Sequence, residues 1–312
     1  MRNRDKNPET WQPDIERSVA AYNEWYHAHS PKSWAEARGR AVQLAAQAMD
    51  ETDNFRELTP DALQALPCGL AVARAAVSPM MARDRLIGFT GANANLVRSM
   101  EADNSIPPRT RGVRGQLERL ATFLAPKLDP GLFPWIEEGR DPTSAERDKA
   151  LLVLGERLTR AFYDPELRNE QERRQKALLR AYLQALGFRE SSAAAFALPP
   201  GTFGMGRNVV GIRDDGARQN VPTDCVIRPE RPDLPLVCLE LKSAGDFTNV
   251  NKRRKEESDK HAALRRTHGA KIVMLLQLFG YFDRGYLAFE AAAGLDWAWD
   301  HRLDDLKPYL GF

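Results

Sequence analysis

No apolar run in this 312-residue chain is long enough to cross a bilayer. The longest, near Ile272 to Phe279, is interrupted by Gln277 and falls well short of the roughly 20 residues a spanning helix needs. No apolar stretch follows the opening Met1-Arg2-Asn3-Arg4-Asp5-Lys6, so neither secretion nor membrane insertion is expected. Cysteine is scarce: Cys68, Cys225 and Cys238 are odd in number, and their apolar neighbours suit buried thiols in a reducing, cytoplasmic compartment rather than a disulfide framework. A large charge of one sign is also missing. The 45 basic residues against 43 acidic ones leave a formal net charge of +2, so any surface for a polyanion has to be a local patch. Gly201, Gly204 and Gly206 match neither a phosphate-binding loop nor the dinucleotide fingerprint. No Gly-x-Ser-x-Gly elbow is present, and neither Cys225 nor Cys238 has an obvious histidine beside it. His27-Ala28-His29 has no evident third ligand, and side chains two apart on a helix diverge. Repeats and low-complexity tracts are absent too.

What is present is enough apolar material, 43% of the residues, for one large domain or two moderate ones. From Trp11 to about Asp164 the apolar spacing is helical, with breaks expected at Pro31, Pro60, Pro107-Pro108, Pro134 and Pro142. A further helix is expected over about Asn169 to Leu186, and strand patterns begin after it. Thr202 to Ile212, Val221 to Arg228 and Leu236 to Lys242 read as three antiparallel strands, with Asp215-Gly216 as a turn. A polar helix, Asn249 to Thr267, precedes a buried strand at Lys271 to Leu278 and an edge strand near Asp296 to Arg302. The fold class is α/β (α+β), with a mixed central sheet flanked by helices and a mostly helical region before it.

In the strand Leu236 to Lys242, alternation puts Val237, Leu239 and Leu241 on one face and Cys238, Glu240 and Lys242 on the other. Two charges ending an otherwise buried face need a partner or a task. If the preceding hairpin closes about Pro232, Asp224 lies opposite Glu240, with Cβ atoms roughly 5 Å apart. Two carboxylates so close require a cation. A hard divalent ion such as Mg²⁺, held by Asp224, Glu240 and the Leu241 carbonyl, leaves coordination positions for a phosphate oxygen and a water. The Lys242 ammonium beside it orients the water and stabilises its hydroxide form, which is a geometry for phosphodiester hydrolysis.

Pro222-Thr223-Asp224 followed by Glu240-Leu241-Lys242 resembles the PD-(D/E)xK nuclease superfamily, with one residue inserted between the usual proline and aspartate. More narrowly, the string from Glu240 to Glu257 is similar to the XamI-type type II restriction endonucleases. So are Ala82 to Gly88, Pro199 to Phe203, Gly280 to Asp283 and Gly294 to Trp297. The resemblance implies a restriction-endonuclease-like core over 166–312, with the helical region 1–165 clamping DNA or forming a dimer. It also implies a homodimeric, Mg²⁺-dependent enzyme that cuts both strands of double-stranded DNA at a short palindrome beside a protective DNA methyltransferase. Many members of the superfamily add an acid from the helix before the sheet. Glu172 is the candidate here, with Glu170 its rival and an ion pair with Lys176 the plain alternative.

Seven basic residues follow the Glu-x-Lys strand: Lys252, Arg253, Arg254, Lys255, Lys260, Arg265 and Arg266. Such a run is commonly a solvated face, but here it opens beside the scissile phosphate, where lysine and arginine hold backbone or read guanine. Asn249 and Asn251 suit helix capping or adenine readout. Arg83 and Arg85, and behind them Arg109, Arg111 and Arg114, are further phosphate candidates or surface ion-pair partners. Trp297 and Trp299 alternate as a core-facing pair. Gln277-x-x-x-Tyr281 has the spacing of a nuclease motif that belongs on a helix, and it overlaps a strand. Two rival functions remain: a structure-selective repair or recombination nuclease on the same core, and a non-catalytic DNA-binding regulator.

Overall fold

The computed structural model describes residues 2–213, 215–247 and 254–312, with side chains in the last span from 258 onward. The chain divides into two compact units, Ser30–Leu167 on one hand and Met1–His29 with Arg168–Phe312 on the other.

The first unit is helical. Its short helices are Pro60–Ala65, Gly69–Ala76, Arg83–Thr90, Ala94–Asp103, Val113–Leu124 and Pro134–Glu137. Pro60 and Pro134 start helices rather than merely break them, because a first-turn residue needs no N–H partner. Leu70, Leu96, Leu120, Leu124 and Trp135 form the centre of its core. The helices Gln12–Glu51 and Ser144–Ala185 continue past Pro31 and Pro165 without a break. This corrects the break expected at Pro31 and the separate helix expected from Asn169. A proline costs one backbone bond and about 3 kcal/mol; helices of 40 and 42 residues are held mainly by packing along their length, and one lost bond does not end them. A capping box fixes the start of Ser144–Ala185: Thr143 Oγ1 accepts the Glu146 N–H, and the Glu146 carboxylate accepts the Thr143 N–H at 2.8 Å.

The second unit holds a six-stranded sheet in the order β1 to β6: Arg189–Glu190, Thr202–Ile212, Arg218–Arg228, Leu236–Ala244, Ile272–Gly280 and Asp296–Trp299. β2, β3 and β4 are antiparallel, while β5 and β6 run parallel to β4, giving the mixed sheet expected. The two-residue β1 has no pattern that sequence could reveal. The lower half of the helix Ser144–Ala185 covers one face, where Leu179 and Leu183 meet Val237, Leu239 and Leu275. The basic helix, Arg254–His268, covers the other, with Leu264 against Leu236, Cys238 and Met274. Trp297 and Trp299 are buried together as expected.

The first 29 residues belong with this sheet rather than with the helical unit. The reason is a set of specific bonds: Asn3 Nδ2 donates to the Trp297 carbonyl at 2.7 Å, Ser18 Oγ accepts the Gly280 N–H at 2.8 Å, and Trp11 stands edge-on to Trp297.

Candidate active site

The pairs Cys225↔Leu239 and Val226↔Cys238 reproduce the hairpin register expected about Pro232, and one step further sets Asp224 opposite Glu240. Ladder pairing between β3 and β4 stops there, and Asp224 takes over the role of a strand partner: its Oδ2 accepts the Leu241 N–H at 2.9 Å. In a strand the N–H and C=O of one residue point the same way, so the Leu241 carbonyl is also directed toward β3.

Glu240 lies on the face covered by the basic helix and is only 3% exposed. Two ammonium groups converge on its Oε2, Lys242 Nζ at 3.6 Å and Lys260 Nζ at 3.2 Å. Its other oxygen, Oε1, is buried and has no hydrogen-bond partner. Burial pushes the Glu240 carboxyl above its ordinary range, the two lysines pull it back, and neighbouring Asp224 raises it again. An orphaned carboxylate oxygen beside a second carboxylate suits a hard divalent ion, which takes oxygen ligands. Among the described residues no group of three or more His, Cys, Asp or Glu side chains could hold a metal. Further oxygen ligands would therefore come from backbone, water or substrate.

The family model described as XamI restriction endonuclease matches residues 53–299. The chain belongs to this family. Type II restriction enzyme SalI of Streptomyces albus G is 41% identical over 317 residues, covering 98% of this chain and 99% of that enzyme. Type II restriction enzyme XamI of Xanthomonas campestris pv. amaranthicola is 32% identical over 143 residues, covering 46% of this chain and 47% of that one. No solved structure matches the chain. In this XamI-family chain β3, β4 and the basic helix lie inside the matched span.

The structure does not bring Glu172 to the site. Its side chain is exposed and paired with Lys176, while Glu170 pairs with Arg173. The residues that turn inward are Gln171 and Gln175, followed by Leu179 and Leu183. Positions four apart advance by about 40° per step, so the inward stripe winds around the helix. At the level of Glu172 it has moved off the line that Leu179 and Leu183 define. This helix also packs on the face opposite Glu240. The polar pair Gln171 and Gln175 running into an apolar stripe is the signal the sequence offered.

Lys260, grouped with the DNA-contacting residues, instead reaches Glu240. Arg266 donates to the Ile212 carbonyl, and Arg265 lines a cavity with Arg2, Arg4 and His261. Asn249, Asn251, Lys252 and Arg253 lie outside the described residues, as do the side chains of Arg254 and Lys255. In the helical unit Arg83 joins Arg74 in pairing with the buried Glu101, the structural role that an arginine commonly has, whereas Arg85 is exposed. Arg114 is spent on Asp61, and Arg109 and Arg111 are exposed. Cys225 and Cys238 are buried free thiols, and Cys68 is a half-buried one. No described helix is long and apolar enough to cross a membrane.

Proposed function

We propose that this chain is a type II restriction endonuclease that hydrolyses phosphodiester bonds in double-stranded DNA at a short palindromic sequence, with Mg²⁺ as its metal. Family membership supports site-specific cleavage of DNA. The observation that carries the chemistry is a buried Glu240 with one unpartnered oxygen and two ammonium groups on the other, with Asp224 as a neighbouring negative charge. Asp224, Glu240 and the Leu241 carbonyl would hold the ion. When bound, it supplies acidification of water and neutralisation of charge at the scissile phosphate.

The chain's own groups do the rest. Lys242 orients the attacking water and stabilises negative charge as it develops. Lys260 keeps Glu240 facing inward. Asp224 also ties β3 to β4 through the Leu241 N–H, so the two carboxylates keep a fixed separation. Asn249, Asn251, Lys252, Arg253, Arg254, Lys255 and the exposed Arg85 are the DNA-contacting candidates. The helical unit Ser30–Leu167 serves to clamp DNA or to form the homodimer that a palindrome calls for. A cognate DNA methyltransferase would protect the host genome, and the enzyme would work in the cytoplasm.

Digestion of a mapped phage DNA with Mg²⁺, Ca²⁺ and EDTA in parallel tests this. Discrete fragments with Mg²⁺, and none with Ca²⁺ or EDTA, are expected. Cleavage restricted to branched or nicked DNA would instead support a repair nuclease, and binding without cleavage in any metal would support a regulator.

A further inference from the structure

Beneath the C-terminal end of β4, on the face away from Glu240, lies a cluster of buried polar side chains that the chemistry above does not use. Gln175 is 1% exposed and Gln277 fully buried. Gln175 Nε2 lies 3.2 Å from the Lys242 carbonyl, 3.2 Å from Asp300 Oδ1 and 3.5 Å from the Gln277 carbonyl. Gln277 Nε2 donates to the same Asp300 oxygen at 2.7 Å. Asp300 Oδ2 accepts from Arg174 Nη1 at 2.7 Å, and that guanidinium lies over the Phe279 ring at 4.0 Å.

Apolar side chains of the same volume would pack this space at least as stably, since burying a carboxylate and two amides costs desolvation that hydrogen bonds only offset. What apolar groups cannot do is fix the orientation of a peptide. Here two successive residues of β4 are held from different sides, the Leu241 N–H by Asp224 and the Lys242 carbonyl by Gln175. The Lys242 side chain leaves the strand between those two anchors. Asp300 in turn fixes which way the Gln175 amide faces, because a carboxylate accepts only from its N–H side.

We infer that Gln175, oriented by Asp300, is a positioning residue for the Lys242 ammonium. The inference rests on the reading of Asp224, Glu240 and Lys242 as the cleavage site. A displacement of the ammonium by about 1 Å is enough to cost on the order of a hundredfold in rate.

The test compares Gln175→Met with Gln277→Met in the full-length protein. Both remove a donor to Asp300, but only the first removes the bond to the Lys242 carbonyl. Gln175→Met is expected to lower kcat by about ten- to a hundredfold with KM for duplex DNA unchanged. In the metal-free protein it should also speed amide hydrogen exchange in peptides covering Leu239–Ala244. Gln277→Met should leave kcat and that exchange as in the parent. Gln175→Asn, too short to reach both Lys242 and Asp300, repeats the test if the methionine variant folds poorly. Parental kcat or unchanged exchange in the Gln175 variants would overturn the inference while leaving the nuclease reading intact. A parent that never cleaves DNA would remove the nuclease reading, and the exchange measurement would still decide whether Gln175 fixes β4.

Discussion

Glu240 is the side chain on which the proposed chemistry turns. A carboxylate that is 3% exposed, with one oxygen unpartnered, is costly in a folded protein unless a cation completes it. Glu240→Ala is therefore expected to reduce Mg²⁺-dependent cleavage by about a thousandfold. The variant should also lose any rise in melting temperature that Ca²⁺ gives the parent, since an ion that binds only the folded state stabilises it by mass action; equal Ca²⁺ shifts in the two proteins would count against the metal site. Lys260→Met separates the two ammonium groups. It leaves Lys242 in place but removes the nearer partner of a buried carboxylate, so metal-free stability should fall by about 1–3 kcal/mol. Ca²⁺ should restore a large part of that loss, and urea titrations with and without the ion measure both.

Among the elements, β4 is the one on which the site depends, and its C-terminal end is held by close approach. Gly280, at the end of β5, has φ of +98°, and a Cβ there would lie 2.1 Å from the Ala244 carbonyl oxygen. Gly280→Ala combines a strained backbone with a clash against the strand that bears Lys242. It should cost about 1–3 kcal/mol or more, read from urea unfolding, and should impair cleavage more than binding. The long helix Ser144–Ala185 offers a pH test at its capped end. Arg140 holds the Glu146 carboxylate, helped by the Thr143 N–H and hydroxyl, and lowers its pKa to about 2 from an ordinary 4.5. A carboxyl depressed in the folded state contributes stability that is fully present above pH 4.5 and fades as pH falls toward 2. Glu146→Gln should therefore melt below the parent at neutral pH, and the gap should narrow through that acid range. The strands β2 to β5 were legible because alternation and β-branched runs report burial directly. β1 was not, because two residues carry no period, and the passage of both long helices through proline was hidden because tertiary packing overrode a local rule.

In the whole molecule, the two ends of the chain meet within one unit. Asn3 is 3% exposed and donates to the Trp297 carbonyl and to Asp305, while its own carbonyl accepts from Trp11 Nε1. Asn3→Ala should lower stability by about 1–3 kcal/mol by leaving buried groups unpaired. Unfolding followed separately by tryptophan fluorescence and by cleavage activity would reveal this, and a neutral result would mean that the N-terminal segment is not part of the sheet's core. The same segment brings Tyr22 against the end of β4. A Cβ on Gly245 would lie 2.6 Å from the Tyr22 hydroxyl, and burial has raised that hydroxyl's pKa to about 12. Residues near the start of the chain thus shape the strand that carries Lys242.

The sequence by itself determined the mixed sheet, the hairpin register and the placing of Glu240 and Lys242 on one face of β4, because these follow from alternation along single strands and the closure of one turn. Family membership was legible for a related reason, since the string around Glu240 is continuous in the chain. Only the tertiary structure decided that Lys260 faces Glu240, that Gln175 rather than Glu172 turns inward, and that residues 1–29 join the sheet. Each of those depends on how a helix is rotated and seated on a twisted surface. A rotation of some tens of degrees leaves every local pattern unchanged while it exchanges one side chain for its neighbour.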